Sequence, residues 1–559
     1  MNTGASWPGL AEAESRVLKI QTKLHQWAID DGDRRFDDLH NLVCDPGFLL
    51  VGWSRVRGNR GGRSAGVDGV APRSIGTSRE LGFLTELRDD LKAGRFQPLP
   101  VRQRMIPKAN GKLRSLGIPT ARDRVVQASL KLVLEPIFEA GFHPCSYGFR
   151  PRRRPHDAIA EIHMLATNEY SWVLEGDITA CFDEISHPAL LARVRDKIGD
   201  RRVVRLIKAF LCAGVLSEDG VRRDTKMGTP QGGILSPLLA NIALAVLDDH
   251  FADAWQRDMA TRSQRETRRK HGGATYRLVR YADDFVVMVS GTKAHAEDLR
   301  DEVAAVLAPM GLRLSEEKTM IVHIDDGFDF LGFNLRHFPN GKLLVRPQKE
   351  KVALHRRRLS AFFRANRQMP TAEVIKQLSP VIRGWCNYYR YAVAKRTFAN
   401  LDHHVWRVTY KWAKRRHPRK NRRWVVNRYY GVDQGRGWDL WDGRNRLPRH
   451  NETRVSRFVK VRGKASPFDP NLRDYWEDRR TRRLVREASH FHRVHLLQRQ
   501  AGRCAACKAV FDPDLEQGGN TNIVVRRDPA TGDTTRVLVH RWCRPGRSPR
   551  STSYALADA

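Results

Sequence analysis

Asp177 closes the apolar run Trp172-Val173-Leu174-Glu175-Gly176-Asp177, and Asp283-Asp284 stand side by side between two β-rich runs, Tyr276 to Arg280 and Phe285 to Val289. Carboxylates beside apolar strands are costly to bury unpaired, so acids held there call for cations. Aspartates also favour turns for ordinary backbone reasons, which keeps a solvated turn open as the reading of Asp283-Asp284 taken alone. The loop Gly228-Thr229-Pro230-Gln231-Gly232-Gly233 adds a polar, Gly-rich segment whose backbone can approach a ligand closely. Together, a strand-end Asp, paired acids at a hairpin and this loop describe a two-metal site for phosphoryl transfer on a polyanion. Two Mg2+ ions, or Mn2+ in their place, about 3.5–4 Å apart, would activate a 3′-hydroxyl and neutralise the leaving pyrophosphate.

The elements that must hold these groups can be read locally. Residues 172–178 are predicted as a strand, and Ser186 caps a helix with Pro188 in its first turn. Tyr281-Ala282-Asp283-Asp284 is predicted as a hairpin turn. Ser236-Pro237 opens a helix with Leu238, Leu239, Ile242 and Val246 on one face. From Leu84 to Gly332 apolar runs alternate with helical patterns, a mixed α and β signature. From Lys349 to His417 the pattern is helical, with Val374, Leu378, Ile382 and Trp385 at helical spacing and a kink predicted at Pro380. Residues 52–70, rich in Gly and Arg, read as a basic loop that could meet an anion.

Of 559 residues, 99 are Lys or Arg and 62 are Asp or Glu, a formal net charge of +37. Cations that neutralise phosphates release counterions, so a surplus of this size points to nucleic acid, with a ribosomal-type or merely soluble basic protein as the alternative. A 41 % hydrophobic composition supplies real cores, and the length suggests about three or four domains. The most apolar stretch, Ile234 to Leu247, holds Ser236, Pro237 and Asn241 and is too short for a membrane span. No secretory pattern opens the chain, and Cys44, Cys145, Cys181, Cys212 and Cys386 are scattered like reduced thiols. A cytoplasmic protein without a membrane partner is expected.

Asp177-Ile178-Thr179-Ala180-Cys181-Phe182-Asp183, Gly228 to Gly233 and Arg280-Tyr281-Ala282-Asp283-Asp284 resemble the palm motifs of reverse transcriptases. The wider pattern resembles bacterial group II intron-encoded reverse transcriptase/maturases. It takes in Gly66-Val67-Asp68-Gly69, Ile106-Pro107-Lys108 through Arg114 to Pro119, Ser146 to Pro151, Lys318 and Phe330-Leu331-Gly332-Phe333. The resemblance implies an α+β right-hand polymerase: fingers, a palm on an antiparallel sheet, a helical thumb, then a basic DNA-binding region and a small Cys/His zinc module. The expected divisions are 1–83 (extension with the basic loop), 84–340 (fingers and palm), 341–410 (thumb), 411–490 (DNA-binding) and 491–559 (zinc module).

Residue roles follow from the same resemblance. Asp177 and Asp283 would hold both metals, with Asp284 auxiliary and the Ile178 carbonyl completing one shell. Phe182 would exclude a ribose 2′-hydroxyl, core packing being its plain alternative. Lys108 and Arg114 would grip the deoxynucleoside triphosphate, as a point charge and a planar fork respectively. Gln231 would sit against the new base pair, and Lys318 would protonate pyrophosphate unless it is an ordinary surface lysine. In the thumb, Arg383, Arg390, Lys395 and Arg396 would track intron RNA. Lys414, Arg415, Arg416, Arg419, Lys420, Arg422 and Arg423 would contact target DNA.

Near the end, Cys504-Ala505-Ala506-Cys507 and His540-Arg541-Trp542-Cys543 supply four ligands for a structural Zn2+, spare thiols being the alternative. The module resembles an HNH nuclease start, yet no histidine lies between Cys507 and His540 to seat a nuclease metal, so cleavage is expected to be lost or weak. The leading expectation is an intron-encoded polymerase that assists splicing and copies its RNA from a target DNA end, at the bacterial nucleoid or in a ribonucleoprotein. A host-adopted polymerase in repair or phage defence, and a splicing cofactor acting by RNA binding alone, are the other readings; oligomeric state is left open.

Overall fold

The computed structural model describes residues 7–107, 111, 113–217, 221–223, 225, 227–229, 231–432, 438–487, 491–506, 511, 521–527 and 534–540. Three long helices lead, α1 Leu10–Asp30, α2 Pro46–Gly58 and α3 Glu80–Lys92, with the single turn His40–Val43 between the first two, followed by the hairpin β1 Val101–Pro107 and β2 Leu113–Ile118. Then come α4 Ala121–Gly141, α5 Pro155–Thr167, β3 Trp172–Asp177, the single turn α6 Cys181–Glu184, α7 His187–Lys197 and α8 Arg201–Leu211. Two short strands, β4 Val215–Leu216 and β5 Arg222–Arg223, extend the β1–β2 hairpin into a sheet of order β2-β1-β4-β5. The predicted caps are present: Ser186 Oγ accepts from the Ala189 amide, and Pro188 sits in the first turn of α7.

The central sheet follows from α9 Ser236–Asp258 and α10 Arg262–Lys270, which lead into β6 Thr275–Tyr281, β7 Asp284–Ser290, α11 Lys293–Leu307 and β8 Met320–His323. Its order is β6-β7-β3-β8, antiparallel at every junction. Side chains alternate across a strand, and here both faces are covered. Phe285, Val287 and Val289 pack in one core with Leu239 and Leu244 of α9 and Val303 of α11, while Val286 and Met288 share the other with Ile159 and Ile162 of α5. That double burial is why β7 reads as a nearly unbroken apolar run.

The second core continues through the sheet β9 Phe328–Phe330, β10 Phe333–His337 and β11 Leu343–Pro347 into α12 Lys349–Ala365, α13 Thr371–Tyr389, α14 Lys395–Arg416 and α15 Arg422–Tyr429. The small hairpin β12 Tyr430–Val432 and β13 Trp438–Leu440 closes it. Val374, Leu378 and Ile382 are at most 3 % exposed, and burying each contributes about 1.5–3 kcal/mol. Their packing carries α13 as one helix across Pro380, where a kink was predicted. The last described elements are α16 Arg473–Glu487, α17 Phe491–Arg499 and the hairpin β14 Thr521–Arg527 and β15 Thr534–His540. No helix among the described residues is long and apolar enough to cross a membrane.

One expectation needs correction, and the expected divisions cross continuous elements. The predicted basic loop at 52–70 is helical through Gly58, because Gly52 packs on α4, where a Cβ would meet Ala128 at 3.3 Å. What remains of it, residues 60–63, is a 3-10 turn whose Gly61 carbonyl, with that of Ser64, accepts from Arg124. The boundary at 340/341 falls inside the β10–β11 hairpin, and the one at 410/411 falls inside α14. Nor is 411–490 one unit. Val425, Tyr429 and Leu447 are buried in the thumb-side core, whereas Val461 donates its amide to Asp157 of α5 and Arg153 reaches the Gly463 carbonyl.

A histidine pair locks the helical unit. Asp402 of α14 accepts from His450 Nδ1 at 2.9 Å, which leaves His450 Nε2 to accept from His355 Nε2 of α12 at 3.0 Å. His355 also stacks on Trp385 of α13, ring centroids 4.8 Å apart. Burial first, and then the neighbouring His450 and Arg358, pushes His355 down to about 3. Its folded value lies below its unfolded one, so stability is intact above about pH 6.5 and is lost as pH falls below that. At pH 5 the loss is expected to be about 2 kcal/mol in denaturant melts. His355→Phe, which keeps the stack, should flatten that slope between pH 7 and 5; an unchanged slope would refute the assignment.

Candidate active site

The sheet brings the three acids to one edge. Asp177, last in β3, lies directly across from Asp284, first in β7, and Asp283 sits in the two-residue turn that joins β6 to β7. The predicted hairpin is therefore present, tighter by one residue on each side. Its turn is unusual in chemistry, since Ala282 adopts φ 59, a left-handed conformation that disfavours a side chain. Gly148 packs against this turn so closely that a Cβ there would lie 2.2 Å from the Ala282 nitrogen.

A buried guanidinium holds the turn. Arg280, fully buried in β6, donates Nε to Asp248 Oδ1 at 2.8 Å and pairs through Nη2 with the same carboxylate; both side chains are 0 % exposed. Its remaining donors reach Asn241 Oδ1 at 3.1 Å, Ser146 Oγ at 2.9 Å and the Ala282 carbonyl at 3.0 Å. Sequence reasoning missed Asp248 and Asn241. The available signal was two polar residues seven apart on the otherwise apolar face of α9.

Electrostatically the acids are a cluster short of cations. Burial raises Asp283, with the charge of Asp177 adding to the effect. Burial, then repulsion from Asp283 and Asp177, pushes Asp284 up to about 6. Lys318, in the loop before β8, pairs with Asp177 Oδ2 at 2.7 Å, and this hydrogen bond raises the Lys318 ammonium. The donor set, carboxylate oxygen alone, fits a hard divalent cation. Among the described residues no three acidic, His or Cys side chains close into a cage, and Mg2+ characteristically takes one or two carboxylates and completes its shell with water and substrate phosphate.

The Gly-rich loop crosses between sheet and hairpin. Gly228, at φ 80, would place a Cβ 2.5 Å from the Asp183 carbonyl, and its amide donates to Ile185. Gln231 spans the gap: its Oε1 accepts from Arg114 Nε of β2 at 2.9 Å, and its Nε2 donates to Asp183 Oδ2 at 3.0 Å. The Asp183 end of this bridge was not anticipated. Phe182 is buried in α6 with Phe149 edge-on at 6.4 Å, and Ile178, also buried, forms a β-bridge with Leu314. Lys108 lies outside the described residues.

The basic residues divide into two groups. Arg390 is 3 % exposed and donates to Asn387 and to the Arg454 carbonyl, so the expectation that it tracks RNA is corrected: burial removes it from any ligand. Lys395 bonds the Asn451 carbonyl at 2.7 Å, while Arg383 and Arg396 are exposed. Lys414 binds the carbonyls of Pro418 and Lys420, capping the end of α14, and Arg416 donates to Met369 at 2.6 Å and lies over Trp412. Lys420 lies over Trp424; Arg415, Arg419, Arg422 and Arg423 are exposed. Of the zinc set, Cys507, Cys543 and the His540 side chain lie outside the described residues, and Cys504 is buried beside Leu497 and Leu538.

Comparison with known proteins agrees with this geometry. Residues 106–335 match the family model for reverse transcriptase (RNA-dependent DNA polymerase), and residues 352–430 match the maturase-specific domain of group II introns. Protein YkfC of Escherichia coli is 39 % identical over 337 residues, 57 % of this chain and 88 % of that one. The group II intron-encoded protein LtrA of Lactococcus lactis subsp. cremoris is 29 % identical over 474 residues, 71 % of this chain and 77 % of its own. An uncharacterized 91 kDa protein in the cob intron of Schizosaccharomyces pombe is 29 % identical over 469 residues, 71 % of this chain and 56 % of its own.

Removing either partner of the Arg280–Asp248 pair leaves an uncompensated buried charge. Arg280→Gln and Asp248→Asn are each expected to destabilise the chain by about 3–5 kcal/mol in denaturant melts, and the double variant by less than their sum. Strict additivity would show that the two groups act independently.

Proposed function

This chain belongs to the group II intron reverse transcriptase/maturase family, and from that premise we propose that it copies intron RNA into DNA from a target DNA 3′ end, using Asp177, Asp283 and Asp284 as its catalytic acids. RNA-directed DNA synthesis and a role in splicing are what the family does. The observation that carries the finer reading is the register pair Asp177–Asp284 with Asp283 in the adjoining turn. A pure RNA binder has no use for three mutually repelling acids at one sheet edge, since their repulsion only costs stability.

Divalent metal at these acids, Mg2+ in our reading, would supply charge neutralisation and an activated 3′-oxygen. The chain's own groups do the rest. Arg114, resting on Gln231, is poised to exchange that neutral partner for a phosphate, to which a guanidinium binds more strongly. Phe182 is buried beneath Phe149, a stiff wall suited to reading the sugar edge. Lys318 is protonated and already at Asp177, near enough to hand a proton to a leaving oxyanion.

For nucleic acid, Arg364 of α12 and Arg367 just beyond its end face Lys411, Arg415 and Arg416 of α14 across a groove of about 510 Å3. This concentration of cations supports a backbone-binding surface, with Arg419, Lys420, Arg422 and Arg423 continuing it toward target DNA. The lack of any histidine between Cys507 and His540 supports a C-terminal module without nuclease chemistry.

Two measurements test the reading. With poly(rA)/oligo(dT), dTTP and Mg2+, Asp283→Asn is expected to lower synthesis at least about a thousandfold, equivalent to about 4 kcal/mol of barrier, with RNA affinity within about twofold. Retained synthesis would overturn the metal assignment. The purified full chain should leave the second strand of a target duplex intact in Mg2+; clean nicking would refute the view that nuclease chemistry is lost.

A further inference from the structure

The central sheet has a second charged end. α10 carries Arg262, Arg265, Arg268, Arg269 and Lys270 against a single Glu266 in nine residues. Two of these arginines fasten the helix. Arg265 Nη1 donates to the Met259 and Ala260 carbonyls at 2.7 and 2.9 Å, and Arg268 Nε to Ala274 at 2.6 Å. Between α10, the C-terminal end of α5 and the start of β6 lies an open pocket of about 500 Å3, within the range of ligand sites. Three arginines, Arg265, Arg269 and Arg277, line it against one acid, Glu169.

Arg277 is the telling residue. It projects from the edge strand β6, stacks on Trp255 at 4.1 Å, and has no hydrogen-bond acceptor or acidic partner among the described residues. Arg265 lies over the same indole at 5.4 Å. Arg269 donates Nε to the Arg265 carbonyl at 3.3 Å and keeps Nη1 3.9 Å from Glu169, itself largely exposed, so its outer donors stay available to a ligand. A strand-borne guanidinium pre-oriented by an aromatic ring, with its donors unspent and facing an open cavity, is built for a planar or phosphate-bearing ligand. β6 runs from this pocket to the catalytic turn, so the two ends lie about 20 Å apart at strand rise per residue.

We propose that this pocket is a second RNA site, separate from the catalytic cleft, which takes unpaired loop nucleotides: phosphate on Arg277 and Arg269, a base against the arginine–Trp255 stack. Unpaired RNA offers splayed bases to such planes, whereas paired helices do not. The choice of RNA over DNA rests on the maturase reading above. The site anchors structured RNA at the rear of the sheet while the cleft at its other end holds template and primer.

The test uses the full chain, a stem–loop RNA with a single-stranded loop, a fully paired RNA of the same length, and DNA of the stem–loop sequence. In the variant Arg269→Ala/Arg277→Gln, stem–loop affinity is expected to fall about tenfold or more and the slope of log K against log salt to shrink by about 1.4, the loss of two single-strand phosphate contacts. Synthesis on poly(rA)/oligo(dT) should stay within about twofold, which also reports an intact fold. Arg277→Lys should keep the salt slope and lose part of the affinity, because charge survives and the planar stack does not. Unchanged stem–loop affinity in the double variant, an equal loss for paired RNA or for DNA, or a parallel loss of synthesis would each overturn the site. Wild-type protein that synthesises DNA but binds the RNA no better than the DNA would instead overturn the maturase reading on which the choice of ligand rests.

Discussion

A guanidinium with no access to water must find an acceptor for every donor, and the acid-bearing end of this sheet is organised around one that does. Arg280 joins Asp248 and Asn241 of α9, Ser146 of the preceding loop and the Ala282 carbonyl of the turn. Each contact alone is modest, but the alternative is an unpaired charge in a medium that solvates it poorly. That asymmetry fixes helix, loop and hairpin relative to one another. It also sustains Ala282 in a left-handed conformation and thereby sets where Asp283 points. The acids themselves oppose folding: they repel, and Asp177 and Asp283 are half-buried. They remain at the edge because the network behind them leaves the turn no other conformation.

The same accounting reshapes the meaning of the positive surplus. A net charge of +37 suggests a surface crowded with phosphate-binding groups. Yet Arg150 is buried against Glu139, Arg390 is buried among backbone carbonyls, and Lys414 and Arg416 tie off helix and loop ends. Long cationic side chains serve a large, loop-rich protein well as internal staples, since one guanidinium can satisfy several carbonyls that no strand or helix pairs. The cations that line cavities form fewer, more defined places: the groove between α12 and α14, and the pocket around Arg277.

Much of the site was legible because its signals are local. Asp177 at a strand end, the Tyr281 to Asp284 turn, the Ser186 and Pro188 helix start and the opening of α9 at Ser236 depend on a few neighbouring residues, and all appear where expected. Gly52 was misread for the opposite reason. Its smallness serves a helix crossing with Ala128, far along the chain, and nothing beside it in sequence distinguishes that use from a loop. Likewise Leu447 and Val461, close in sequence, are buried in different places, which no local pattern shows.

The amino-acid sequence by itself determined the family, and with it the elements that carry the three acids and the Gly-rich loop, since side-chain type and short-range periodicity suffice for that. Only the tertiary structure decided which charges are free to act. Arg280 and Arg390 are the same residue type as Arg277 and Arg383, and no local pattern separates them. The difference lies in whether distant chain segments bring carbonyls and carboxylates to the guanidinium or leave it open to solvent, and burial of that kind is a property of the whole fold.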